Sequence, residues 1–140
     1  MRTVLLDTNL LIGALDTEPG NAAHTQSREH LEKLLRDPEV KLAISPLIRY
    51  EVLRGAKHVP VSRLEEILND FHEFDVRAQD AQRAAELFRE AKTKDIKLDK
   101  RSFDLFHCVC AELNALEFES RDGDVPKIQE LMLAVPAKVK

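Results

Sequence analysis

A chain of 140 residues, 44% of them hydrophobic and 33% charged, has the length of one compact domain with its own core, so one domain over residues 1–140 is expected. A net charge of −4, from 21 basic and 25 acidic residues, argues against bulk electrostatic binding of nucleic acid but leaves room for a local basic rim. Four glycines, six prolines and two cysteines exclude collagenous, low-complexity and disulfide-framed chains, no apolar run reaches the roughly 20 residues of a membrane span, and the start has no secretory h-region, so a reducing cytoplasm is the expected location.

Along the chain, Thr3 to Leu6 is apolar and β-rich and stops at a carboxylate, Asp7. Asn21 is placed to cap a helix running to about Arg36, with Ala23, Leu31, Leu34 and Leu35 on one side; Asp37-Pro38 ends it. Leu42 to Ile44 reads as a short buried strand. Ser45-Pro46 gives an N-cap with proline at the first helical position, opening a helix that ends at Gly55. Val61, Leu64, Ile67 and Leu68 mark a helix by their spacing, and Phe74 to Val76 a weak strand. A helix follows through Ala81, Ala84, Ala85, Phe88 and Ala91. Ser102 is placed to cap the next, with Phe103, Phe106, Cys110 and Leu113 on one face. Ala115 to Phe118 reads as a strand, Lys127 to Glu130 as a short helix and Met132 to Val135 as a last strand. Strands alternating with helices predict a three-layer α/β/α sandwich around a mainly parallel sheet, whose functional groups gather beyond the carboxyl ends of the strands.

The acids are placed accordingly. Asp7 directly follows the first strand, where it can serve a site or cap a helix or turn with Thr8 and Asn9. Glu51 follows Leu47 and Ile48 by four and three residues, beside the apolar stripe of its helix. Asp104 falls in a first helical turn, where an acid also complements the helix dipole. Asp122 and Asp124 follow the strand ending at Phe118, in a segment whose Asp-Gly is equally an ordinary turn. Each has a bland explanation alone. Together they can converge at one sheet edge, where several carboxylates stay ionised only beside a cation. Hard oxygen donors with no spaced cysteine or histidine partners suit Mg²⁺ or Mn²⁺.

The segments Leu5-Leu6-Asp7-Thr8-Asn9, Ser45 to Gly55 around Glu51, Phe103-Asp104 with Ala111-Glu112, and Ser120-Arg121-Asp122-Gly123-Asp124 resemble PIN-domain ribonucleases. The similarity is greatest to VapC-type toxins of prokaryotic toxin–antitoxin pairs, and it covers nearly the whole chain in the family's order. It implies that Asp7, Glu51 and Asp104 are the catalytic acids that hold the metal, with Asp122 the fourth and Asp124 the next candidate. Thr8 would support the first acid by hydrogen bonding, with Asn9 and Ser120 around it; Ser120 stands where the family usually has threonine. The implied activity is an endoribonuclease using Mg²⁺, with Mn²⁺ able to substitute, that hydrolyses RNA phosphodiester bonds with ion-activated water. The implied partners are RNA, a second copy of the chain and a cognate antitoxin.

Lys92, Lys94, Lys97, Lys100 and Arg101 crowd five cations ahead of the Asp104 helix, either as a solvated helix end or as a basic lip holding phosphates. Lys97, Lys100, Arg101 and, near Glu51, Arg49 are the RNA-binding candidates. His107 lies three residues from Asp104 and reads as a partly buried structural histidine or a substrate contact. Cys108 and Cys110 do not share a helix face. No P-loop, dinucleotide fingerprint or nucleophile elbow is present. The rival to an enzyme is a non-catalytic acidic pocket that binds a cation or a partner.

Overall fold

The computed structural model describes residues 1–98, 101–121 and 123–137. Its elements run β1 (Arg2–Leu6), α1 (Thr8–Leu15), α2 (Ala22–Arg36), β2 (Val40–Ile44), α3 (Pro46–Gly55), α4 (Val61–Leu68), β3 (His72–Glu73), α5 (Ala78–Thr93), α6 (Ser102–Leu113), β4 (Glu117–Glu119) and α7 (Val125–Ala134). The four strands form one parallel sheet in the order β3-β2-β1-β4, flanked by helices. β1 is central, pairing Leu5 with Ala43 on one side and Phe118 on the other. Val4, Leu5 and Leu6 are fully buried, as a parallel strand covered on both faces requires.

Two apolar clusters hold the helices. Leu10 and Leu11 of α1, Leu31 and Leu34 of α2, and Ile48 and Val52 of α3 pack with β1 and β2. Leu87 of α5, Leu105 and Val109 of α6, and Ile128 and Leu131 of α7 form the second. Phe118 packs against both.

Several expectations from sequence change. Asp7 to Asn9, read as a cap or turn, opens helix α1, whose Leu10 and Leu11 are both fully buried and so leave no amphipathic signature. α1 crosses α2 so closely that a Cβ on Gly13 would lie 2.7 Å from Ser27 Oγ. The strand expected at Phe74 to Val76 is instead His72–Glu73: β2 ends at Ile44, so the ladder stops once Phe74 N–H has bonded Ile44 O. In place of the strand expected at Met132 to Val135, α7 continues to Ala134 and Val135 caps it. Val125, Ile128, Leu131 and Met132 share one buried helical face, whereas Leu133 is 84% exposed. Leu35 is exposed on α2, and Ala81 and Ala85 on α5, where Ala84 and Ala91 are buried as expected, together with Asp80, Arg83 and Leu87. α6 is capped at Arg101, not Ser102, and is buried nearly all round.

Two local devices lead to stability predictions. Asp16, buried at the end of α1, accepts the backbone N–H groups of Lys57 (2.7 Å), His58 (2.9 Å) and Val59 (2.7 Å), tying the turn after α3 to α1. Burial pushes its carboxyl upward, but these three hydrogen bonds outweigh that and hold it below the ordinary aspartate range. A carboxyl lowered by folding contributes stability that is full above its unfolded pKa and is lost as pH falls through the folded value. Asp16→Ala is expected to cost about 2 kcal/mol at neutral pH, or roughly 5 °C in Tm. The difference from wild type should shrink in acid, read by thermal melts across pH. Ala115 follows α6 at φ +55°, with Ala115 N–H on Glu112 O and Leu116 N–H on Ala111 O, a Schellman motif. A Cβ crowds the backbone carbonyl in this left-handed conformation and the exposed methyl packs little in return, so Ala115→Gly should raise stability by about 1 kcal/mol, or roughly 3 °C by the same melts.

Candidate metal centre

Three carboxylates distant in sequence line one pocket of about 310 Å³, together with Thr8, Asn9, Ile12, Arg101 and Phe103. β1 delivers Asp7 to its carboxyl end, where Asp7 N–H bonds Glu119 O of β4. α3 carries Glu51 and the first turn of α6 carries Asp104. Asp7 is both pocket acid and N-cap: its Oδ1 accepts Thr8 N–H at 2.7 Å. Asp7 and Asp104 thus sit at the N-terminal ends of two helices, whose dipoles ease their mutual repulsion.

Asp7 is 3% exposed. Burial raises its carboxyl above the ordinary range, against the hydrogen bonds of Ser120 and Thr8 and the nearby His107. Ser120 Oγ donates to Asp7 Oδ2. The Thr8 hydroxyl, expected on the first acid, instead donates to Glu51 Oε1 at 2.8 Å, and it is the Thr8 backbone that supports Asp7. Asn9 Oδ1 accepts Arg121 N–H at 3.3 Å, pinning the chain after β4.

His107 is the residue whose part sequence reasoning understated. It is fully buried, with Nε2 2.6 Å from Glu51 Oε1 and 4.0 Å from Asp7 Oδ1. Its Nδ1 is buried without a hydrogen-bond partner among the described residues. An ionised carboxylate can only accept, so Nε2 carries a proton and donates it to Glu51. Burial pushes Glu51 upward, but the hydrogen bonds from His107 and Thr8 reverse this and hold it below the ordinary glutamate range. Both bonds use Oε1, leaving Oε2 without a hydrogen-bond partner among the described residues. The spacing of His107 three residues after Asp104 was the available signal.

The donor chemistry fits a divalent cation. Asp7, Asp104 and His107 cluster with one atom of each within 4.8 Å of the others, and Glu51 faces the same pocket; with His107 Nε2 donating to Glu51, the carboxylates are left as the ligands. Among these, hard carboxylate oxygens predominate, as Mg²⁺ and Mn²⁺ prefer. Cys108 and Cys110 are both buried, and burial pushes the Cys110 thiol up to about 11, far from a metal-binding thiolate.

The remaining candidates lie elsewhere. Asp124 does not line the pocket; its carboxylate pairs with Arg101 and Lys127. Arg101 also lies 3.6 Å from Asp104 and borders a second cleft, of about 290 Å³, with Lys97 and Lys127. Arg49 is held by Glu73 at 2.6 Å and Asn69 at 3.1 Å, outside the pocket. Asp122 and Lys100 lie outside the described residues.

No helix among the described residues is long and apolar enough to cross a membrane. The curated proteins contain no significant sequence match to the chain. Solved structures do match. VapBC2 from Rickettsia felis, bound to a DNA fragment from its promoter, superposes with TM-score 0.67 at 20% identity, over 89% of this chain and 92% of that one. A toxin–antitoxin complex from Klebsiella pneumoniae gives 0.64 at 25% identity, over 95% and 92%. VapC20 of Mycobacterium tuberculosis, a sarcin-ricin-loop-cleaving toxin, gives 0.58 at 17%, over 89% and 93%. The PIN domain family model matches residues 4–131, a span that contains every acid of the pocket, and the chain belongs to the PIN domain family.

Proposed function

We propose that this protein is a metal-dependent endoribonuclease acting as the toxin of a type II toxin–antitoxin pair, a cytoplasmic homodimer held inactive by its antitoxin. The observation that carries the reading is the meeting of Asp7, Glu51 and Asp104, from three separate segments, around one pocket. The toxin–antitoxin complexes among the structural neighbours support the partner assignment.

Asp7, Glu51 and Asp104 would hold the ion, with Asp122 the candidate for a fourth ligand. When bound, a divalent ion offsets the acids' repulsion, polarises a phosphoryl oxygen and eases deprotonation of water. Ser120 and the Thr8 backbone fix Asp7, and His107 and the Thr8 hydroxyl fix Glu51. Arg101 borders both the pocket and the cleft of Lys97 and Lys127, and by exchanging its pairing with Asp124 it would receive a phosphate of the strand. Asp124 then acts through Arg101 rather than as a ligand. Arg101→Ala is expected to weaken RNA binding across sequences and to reduce the slope of log K against log salt by about 1, read by filter binding over a salt series.

The test of the reading is incubation of purified protein with structured RNA. Cleavage in Mn²⁺ or Mg²⁺ that leaves 5′-phosphate and 3′-hydroxyl ends and stops in EDTA is expected. Intact RNA in both ions, with antitoxin-free protein, would instead favour a non-catalytic acidic pocket.

A further inference from the structure

We infer that Tyr50 is a stacking platform for one unpaired nucleobase of the RNA strand that reaches the acid pocket. The inference rests on the ribonuclease reading and deepens it, because it names the residue that would hold one base of the strand beside the acids.

Tyr50 is the sole tyrosine of a chain without tryptophan. It immediately precedes Glu51 on α3, yet that helix buries Ile48 and Val52, and Tyr50 stays 50% exposed. Its ring meets Phe103 edge to face, with centroids 5.9 Å apart and planes at 69°. Phe103 lines the acid pocket, so the two rings form a continuous aromatic rim beginning at the carboxylates. One turn further along α3, the Arg54 guanidinium lies over one face of the Tyr50 ring, 5.2 Å from its centroid, so a base would stack on the opposite face or take the guanidinium's place. The rim therefore joins a half-exposed aromatic ring to a neighbouring cation, the pairing that single-stranded nucleic acid uses for base and phosphate.

Two physical points favour this occupant. A net charge of −4 and three acids in the pocket repel a polyanion. Contacts that hold RNA here must include some that do not depend on net charge, and stacking is one. An A-form duplex buries its base faces, so a ring at the rim can engage only a base that is splayed out. The cleft of Arg101, Lys97 and Lys127, which Asp124 also lines, adjoins the same pocket through Arg101 and carries more cations than acids. A strand laid from the aromatic rim across the acids to that cleft would have a base held at one end and phosphates at the other.

The experiment uses full-length Asp7→Asn protein, so that RNA is bound but not cut, with a fluorescein-labelled 12-nucleotide single strand and the same sequence as a duplex. Binding of the single strand is expected to be tighter. Tyr50→Leu, which keeps the apolar bulk but has no stackable face, should weaken single-strand binding roughly 5- to 100-fold. Duplex binding and the salt slope should be unchanged, and Tyr50→Phe should bind nearly as the parent does. With one tyrosine and no tryptophan, intrinsic fluorescence reports on Tyr50 alone. It should be quenched by unlabelled single strand and not by duplex. Equal affinity for the two RNAs, undiminished binding by Tyr50→Leu, or unquenched fluorescence on saturation would overturn the platform and leave the ribonuclease reading standing. No binding of either RNA would overturn both.

Discussion

Asp7→Asn is expected to lower RNA cleavage by roughly 10³-fold and to leave Tm unchanged or higher. The loss follows from removing a negative oxygen that holds the ion, since ion-based charge stabilisation supplies several kcal/mol and each 1.36 kcal/mol is a decade in rate. The fold should survive because asparagine has the same shape and keeps an acceptor for Thr8 N–H, the cap of α1. Stability has a direction of its own. Burial raises the Asp7 carboxyl, so its ionised form costs folding free energy at every pH above the ordinary aspartate range. Asparagine removes that cost, a trade of stability for function typical of active sites. Cleavage rates with thermal melts at neutral pH check both halves. A fall in activity with a matching fall in Tm would mean a structural aspartate.

His107→Leu is expected to lower cleavage 10- to 100-fold and to raise the Mn²⁺ concentration needed for half-maximal rate. Residues that orient metal ligands carry effects of this size. His107 Nε2 holds Glu51 Oε1 at 2.6 Å and so fixes a carboxylate that lines the pocket. Leucine fills much of the same volume without that bond, and it removes the unpartnered Nδ1, so Tm should not fall. His107→Gln, whose amide can donate to Glu51, should recover part of the rate and of the metal response. A histidine of purely structural importance would lower Tm and leave the Mn²⁺ dependence of the rate unchanged. The measurement is the initial cleavage rate over an Mn²⁺ series for the three proteins.

What the sequence discloses about this fold follows from local chemistry. Asn21, Ser45-Pro46 and Asp37-Pro38 announce helix ends because caps and proline act within a few residues. The apolar run before Asp7 announces a buried parallel strand, and its end announces the sheet edge where acids collect. α1 and the C-terminal half of α7 were hidden by their own burial and composition, whereas the helix at Lys127 to Glu130 was expected. Leu10 and Leu11 face apolar groups on every side, and Leu131 to Leu133 is continuous in sequence although only two of its three residues are buried. Gly13 against Ser27 is a tertiary fit that no local pattern records.

The site divides in the same way. Asp7, Glu51 and Asp104 were legible because each sits at a strand end or on the helix beside one, and the topology then brings them to the same pocket. The supporting bonds were not legible. Glu51 and His107 are 56 residues apart, and Thr8 and Glu51 are 43 apart. Arg49 stands two residues from Glu51 in sequence, yet the turn of α3 takes it to Glu73 instead. Asp124 and Arg101, both plausible at the pocket, neutralise each other at its border.

The most direct measurement is anomalous diffraction from crystals of the wild-type protein soaked in Mn²⁺. The account predicts a manganese peak within bonding distance of the Asp7 and Asp104 carboxylates, with Glu51 in its coordination sphere directly or through one water. A peak confined to other surface acids, with the space between Asp7, Glu51 and Asp104 filled by ordered water alone, would contradict it.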